Sequence, residues 1–118
     1  MNKFKDLKVW QKAIQHVIKI YSETSSFPKE EIYGIISQIR RCSVSIPSNI
    51  AEGAGRKTKK DFSHFLDIAK GSSFELETQL IISKELNFIN SENFEILIAE
   101  LDEIQKMITG LQKSLTNY

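Results

Sequence analysis

Between residues 29 and 55 the apolar positions recur at helical spacing. Indexed at about 100° per residue, Ile32, Ile35, Ile36, Ile39, Ser43, Ile46, Ile50 and Ala54 fall on one side, a core-facing stripe unbroken through Pro47. Arg41, Ser45, Ser48, Glu52 and Arg56 fall on the opposite side. A purely solvated face more usually carries Lys, Glu and Gln, so this alternation of arginines with small hydroxyls reads as a docking face. Pro47 removes one N–H and crowds the carbonyl of Ser43, at a cost of about 3 kcal/mol in a helix interior. Periodicity kept across such a site predicts one helix over 29–55, kinked at Pro47. Ser43 and Ser45 are placed to bond the freed backbone groups. The kink either bends the helix around its neighbours or presents the Arg/Ser face to a partner.

Three further segments are helical, and strand signal is almost absent. The first spans Leu7 to Thr24, with Asp6 as its N-cap and Leu7, Trp10, Ala13, Ile14, Val17 and Tyr21 on one face, widened by Val9, Ile18 and Ile20. Ser25, Ser26, Phe27 and Pro28 end it, and Gly53 and Gly55 mark the end of the second helix. The third covers Asp61 to Asn87, opened by a capping-box-like Thr58 and Asp61. Its core stripe includes Phe62, Leu66, Ala69, Ser73, Leu76 and Leu80. Gly71-Ser72-Ser73 in mid-helix costs up to about 1 kcal/mol for the glycine, and small residues there admit a close neighbouring helix. The fourth runs from Glu92 to Leu115 after Asn90 or Ser91 as cap, with an unbroken face from Phe94 to Leu115. Short connections make consecutive helices antiparallel. The prediction is one all-α domain over residues 1–118, an up-down-up-down four-helix bundle.

A second apolar line on the third helix, Phe74, Ile81 and Phe88, recurs every seven residues away from the core stripe. A monomeric bundle has no use for it, and such a line marks a partner surface, hence a homo-oligomer.

Composition narrows the class. The 118 residues are 41% hydrophobic and 26% charged, as in ordinary globular domains. The single cysteine, Cys42, excludes an internal disulfide and suits a reducing compartment. The opening residues lack the apolar run of a signal peptide, and no segment approaches the roughly 18 apolar residues of a membrane span. A cytoplasmic address is the expectation, with no membrane partner. Net charge is only +1, but residues 1–60 carry 12 Lys/Arg against 5 Asp/Glu and residues 61–118 carry 4 against 10. That asymmetry reads as a localised basic surface or as complementary halves meeting across an interface. The densest positive stretch is the connector Arg56-Lys57-Thr58-Lys59-Lys60-Asp61, either a solvated loop or, with Arg41, a phosphate-binding patch.

Catalytic and metal chemistry find little support. Carboxylate bundles hold metal with paired Glu-x-x-His motifs aimed inward. This chain has one Asp61-x-x-His64, off the core stripe, and His16 has no carboxylate three residues away. Ser43, Ser45 and Cys42 lack a pinned base, and Glu52 between Arg41 and Arg56 reads as an ion-pair partner. Gly53-x-Gly55 follows no strand and is no phosphate loop. No enzyme, cofactor or metal is expected.

Several runs carry a resemblance: Phe4 to Ala13, Gln38-Ile39-Arg40-Arg41, Ser45-Ile46-Pro47-Ser48-Asn49-Ile50-Ala51-Glu52-Gly53, and Gly71-Ser72-Ser73-Phe74-Glu75-Leu76-Glu77-Thr78-Gln79-Leu80. Together they resemble the bacterial four-helix-bundle proteins encoded in intervening sequences of 23S rRNA genes, the "S23 ribosomal protein" family. They are also similar to the accessory variability protein of diversity-generating retroelements. The resemblance covers nearly the whole chain and implies a ring-like homopentamer without enzymatic chemistry. In the retroelement relatives it implies binding to nucleic acid and to a reverse transcriptase. Carried over by position, Arg40, Arg41 and Arg56 match basic motif positions, and Lys57, Lys59 and Lys60 extend them. Ser45, Asn49, Glu52 and Glu75 match as well and are read as ties between helices.

Two function classes follow. One is an oligomeric accessory protein that binds RNA or DNA backbone. No aromatic is interleaved among its basic residues, so low sequence specificity is expected. The other is a protein–protein scaffold ring without a nucleic-acid partner.

Overall fold

The computed structural model describes residues 3–116. Its four long helices are α1 (Lys8–Thr24), α2 (Ile35–Ala54), α3 (Lys59–Glu85) and α4 (Ser91–Ser114), and no strand occurs among the described residues. Local chemistry sets several boundaries. Thr58 Oγ1 accepts a 3.0 Å bond from the Asp61 N–H at the start of α3, and Asn90 Oδ1 accepts one of 2.7 Å from the Asn93 N–H at the start of α4. α3 stops at Asn87, which takes a left-handed φ of 64°. There Phe88 N–H bonds Ser83 O at 2.9 Å and Asn87 N–H bonds Lys84 O at 3.0 Å, the paired closure of a Schellman motif.

Two starts differ from expectation. Asp6 does not cap α1. It lies in a 3-10 turn over Phe4–Asp6, and Leu7 holds the N-cap position without a side-chain bond. The turn closes on itself through Asp6 N–H to Lys3 O and Leu7 N–H to Phe4 O, and Phe4 packs edge-on against Trp10 at 5.1 Å, so the cap position falls one residue later, on Leu7. Residues 29–34 do not belong to α2 either. Pro28 leads into a second 3-10 turn (Lys29–Glu31), and α2 begins only after Gly34. Ile32, read as a core residue, is therefore 46% exposed. From Ile35 onward the helix runs through Pro47 without interruption, and Pro47 itself is buried.

Each helix packs on the next, and α1 closes the bundle against α4. Cross-helix contacts show that neighbours run in opposite directions. Lys12 meets Glu103 while Glu23 meets Asn93; Cys42 meets Gln79 while Ser45 meets Ser72 and Gly53 meets Phe62; Glu77 meets Gln105 while Asp67 meets Gln112. The core between them holds Ile39, Ile46, Ile50, Leu66, Leu76, Leu80, Leu101, Ile104 and Ile108, essentially without exposure.

α1 is rotated from its expected orientation. Val9, Ala13, His16, Ile20 and Thr24 are buried, whereas Ile18 is 58% and Tyr21 42% exposed and Trp10, Ile14 and Val17 are only half-buried. Two polar residues occupy the inner stripe because their bonding needs are met there. His16 Nε2–H donates to Leu97 O at 3.0 Å, and Thr24 Oγ1 donates to Ile20 O at 2.8 Å. Trp10, Ile14 and Val17 line a groove between α1 and α2 with Phe4, Val44, Pro47 and Ala51.

The glycine that brings two helices together is Gly53, not Gly71. A Cβ at Gly53 would meet Phe62 and Phe65 of α3, while Gly71 is exposed with nothing within 4 Å of its missing Cβ. Ser72 and Ser73 of the same run are buried.

Candidate nucleic-acid interface

The connector between α2 and α3 is short because Gly55 ends one helix and Thr58 caps the next. Arg56 leaves the end of α2 and folds back. Its guanidinium pairs with Glu52 at 2.9 Å and lies 4.6 Å from the centre of the Phe65 ring. Lys57, Lys59 and Lys60 are exposed, and Lys57 and Lys60 make no ion pair or hydrogen bond among the described residues. A pair of ammonium groups free of counter-charge, beside an arginine already oriented by a carboxylate and a ring, can donate to phosphate oxygens without first breaking a contact.

The other two arginines stand apart from this cluster. From Arg41 to the end of α2 is about 20 Å at 1.5 Å per residue. Arg41 is exposed and donates to the side-chain carbonyl of Gln38. Arg40 is half-buried against α1. Its Nε donates to Thr24 Oγ1 at 2.9 Å, and its guanidinium lies 4.6 Å from the centre of the Tyr21 ring. The structure thus brings Arg56, Lys57, Lys59 and Lys60 together and leaves Arg40 and Arg41 toward the other end of α2.

The polar residues of the S-I-P-x-N-I-A-E-G run divide similarly. Ser45 Oγ lies 2.8 Å from Ser72 Oγ and joins α2 to α3, and Asn49 Nδ2 donates back to Ser45 O at 2.9 Å and Ser45 Oγ at 3.0 Å. Ser45 therefore faces α3 rather than a docking surface. Glu52 spends its carboxylate on Arg56, in sequence continuity with its own helix. Glu75 is exposed, close enough to Cys42 for its charge to reinforce the upward push that burial gives the thiol, against the bond from Gln79 Nε2 at 3.5 Å. Cys42 is accordingly a buried, protonated thiol.

Of the apolar line on α3, Phe74 is 52% and Ile81 45% exposed. Phe88 differs: it lies beyond the helix end and packs against Phe27, ring centres 5.7 Å apart, so the core uses it. The exposed apolar surface on α3 instead extends to Ile82 and Leu86.

Among the described residues, His16 is the one buried group of acid–base character that the pattern of apolar residues does not reveal. Burial lowers its pKa, partly opposed by its backbone bond to Leu97 and by the Glu100 charge. It borders a cleft of about 450 Å³ between α1 and α4, rimmed by Lys12–Glu103 and Lys19–Glu100 pairs. Among the described residues no three His, Cys, Asp or Glu side chains converge to hold a metal, and no helix is long and apolar enough to cross a membrane.

Comparison with known proteins adds to this picture. The family model described as 23S rRNA-intervening sequence protein matches residues 5–110. The crystal structure of a protein with unknown function from the S23 ribosomal protein family of Bacteroides thetaiotaomicron VPI-5482 superposes with a TM-score of 0.80 at 25% identity, covering 89% of this chain and 98% of that one. None of the curated proteins matches the chain. With the four-helix architecture and a family match that reaches from the N-terminal turn almost to the end of α4, this chain belongs to the 23S rRNA-intervening sequence protein family.

Proposed function

We propose that this protein is a non-enzymatic, cytoplasmic accessory protein that works as a homo-oligomer, a pentameric ring by resemblance, and binds RNA or DNA through its basic surface. The observation that carries this reading is the connector, where Lys57 and Lys60 stand exposed and unpaired beside Arg56. Neutralising Z phosphates gives a log–log salt slope of about −0.9Z on duplex, so a patch repeated around a ring multiplies a weak contact. No aromatic residue is interleaved in the sequence among Lys57, Lys59 and Lys60, and the nearby Phe65 ring is taken up by Arg56, so backbone charge rather than base stacking sets affinity. Filter binding of a short RNA duplex from low to moderate salt tests it. Binding that weakens steeply with salt and disappears in Lys57→Glu/Lys60→Glu supports the reading; no binding at low salt refutes it. A reverse transcriptase is a further partner if the gene accompanies a retroelement.

The second reading is a scaffold ring without nucleic acid, favoured by the exposure of Phe74 and Ile81. Phe74→Glu with Ile81→Glu is expected to yield monomers by sedimentation. If Lys57→Glu/Lys60→Glu dissolves the oligomer instead, the basic residues belong to a subunit interface and the scaffold reading prevails.

A further inference from the structure

Folding redistributes charge along the 45 Å long axis of the bundle. A cut through the middle of every helix puts residues 3–16, 46–71 and 102–116 at one end, because neighbouring helices run in opposite directions. This end holds 11 Lys/Arg against 6 Asp/Glu, a net +5. The other end, residues 17–45 and 72–101, holds 5 against 9, a net −4. The imbalance between the halves of the sequence has become a difference between the two ends of the molecule.

Every helix contributes to the basic end. Lys8 opens α1, Lys60 lies in the first turn of α3, Lys113 lies in the last turn of α4, and Lys57 follows α2. Lys5 precedes α1 in the turn whose Phe4 packs beside Ser48 and Ala51 of α2. All five lysines are exposed, and none forms an ion pair among the described residues. The first turn of α1 contains no acidic residue to offset Lys8. At the opposite end Glu30, Glu85, Glu92 and Glu95 are likewise exposed and unpaired.

A polyanion lying along the flank would run from the lysines past these carboxylates. One laid across the basic end meets none of them, because a separation of several Debye lengths, each about 8 Å at physiological salt, removes their repulsion. The Cα framework is 23 × 20 Å in cross-section, wide enough for several phosphates of a duplex carrying one charge per about 1.7 Å. We infer that nucleic acid lies across this end of the bundle, and that Lys5 and Lys8 contact its phosphates together with Lys57 and Lys60. This rests on the nucleic-acid reading above and adds an orientation and two contacts to it. Arg41, in the acidic half, lies outside the footprint.

The test is filter binding of a short mixed-sequence RNA duplex over a range of salt, with wild type, Lys5→Gln/Lys8→Gln, Lys57→Gln/Lys60→Gln and Arg41→Gln. Each lysine pair is expected to reduce the magnitude of the log–log slope by about 1.8 for every subunit that touches the duplex, two phosphate contacts apiece, while Arg41→Gln leaves it unchanged. Lys5→Arg/Lys8→Arg, which keeps the charge, is expected to retain the wild-type slope, and matching thermal melts show that the fold is intact. If Lys5→Gln/Lys8→Gln keeps the wild-type slope while Lys57→Gln/Lys60→Gln loses it, end-on binding is overturned and the nucleic-acid reading stands. A slope reduced by Arg41→Gln puts the ligand along the flank and also overturns it. Wild type that fails to bind at low salt overturns both.

Discussion

A Cβ added to Gly53 would stand 2.8 Å from the Cβ of Phe65 and 2.8 Å from Cδ1 of Phe62, closer than real carbon atoms approach. The Phe65 Cβ cannot swing aside without moving α3, so Gly53→Ala must separate α2 from α3. Overpacking of this kind costs about 1–3 kcal/mol, against the gain of up to about 1 kcal/mol that Ala brings to a helix interior. The expected outcome is a melting temperature lower by several degrees. Gly71→Ala meets nothing within 4 Å and is expected to stabilise by up to about 1 kcal/mol. Thermal denaturation of the two variants should therefore move in opposite directions, and a Gly53→Ala protein that melts at or above wild type would contradict the close approach.

His16 makes stability depend on acidity. Its folded pKa is depressed below 6.5, the value of an unfolded chain, chiefly by burial. Above that value both states are neutral and the residue makes no demand. As pH falls below it the unfolded chain takes up a proton that the folded chain refuses, so stability is lost until the folded pKa is reached. Glu100 and Lys19 face the ring with opposing effects that do not change the sign. Melting temperatures measured from neutral to mildly acidic pH should fall in wild type and fall less in His16→Gln, which keeps a donor for Leu97 O without titrating.

Asn87 holds the left-handed corner that ends α3. Asn87→Ala keeps the backbone bonds but pays a steric penalty of about 1 kcal/mol at positive φ. Asn87→Gly removes that penalty and is expected to leave stability equal or slightly raised. Urea denaturation separates the two, and equal midpoints would show that the corner carries no strain.

Arg40 links α2 to α1 through Thr24 and Tyr21. Arg40→Ala is expected to cost about 1–2 kcal/mol by loss of a charge-assisted bond and a ring contact. The salt slope for RNA should be unaltered. A slope reduced with unchanged melting temperature would instead make Arg40 a nucleic-acid contact.

The bundle was legible because most of its core is apolar at helical spacing, as from Ile36 through Ile50 and from Leu66 through Leu80. Apolar periodicity failed on α1, where His16 and Thr24 are inside only because Leu97 O and Ile20 O lie within reach. The first of those acceptors is 81 residues away and cannot be read locally. The start of α2 was overrun for a related reason: Ile32 fits the stripe by spacing, but the 3-10 turn before Gly34 leaves it outside. At the candidate site, the connector lysines were visible as a dense run. Lys5 and Lys8 were not, since only the folding of α1 beside α2 brings distant charges to one end.

A molecule of net charge +1 is expected to ignore charged matrices, but separated poles give this one a large electric moment. At low ionic strength and neutral pH it should adhere to cation exchangers by one tip and to anion exchangers by the other, and salt should release it from both. The same moment exerts a torque in the field of any highly charged polymer. It would turn the lysine-bearing tip forward during diffusion, so that approach already selects the orientation in which capture occurs.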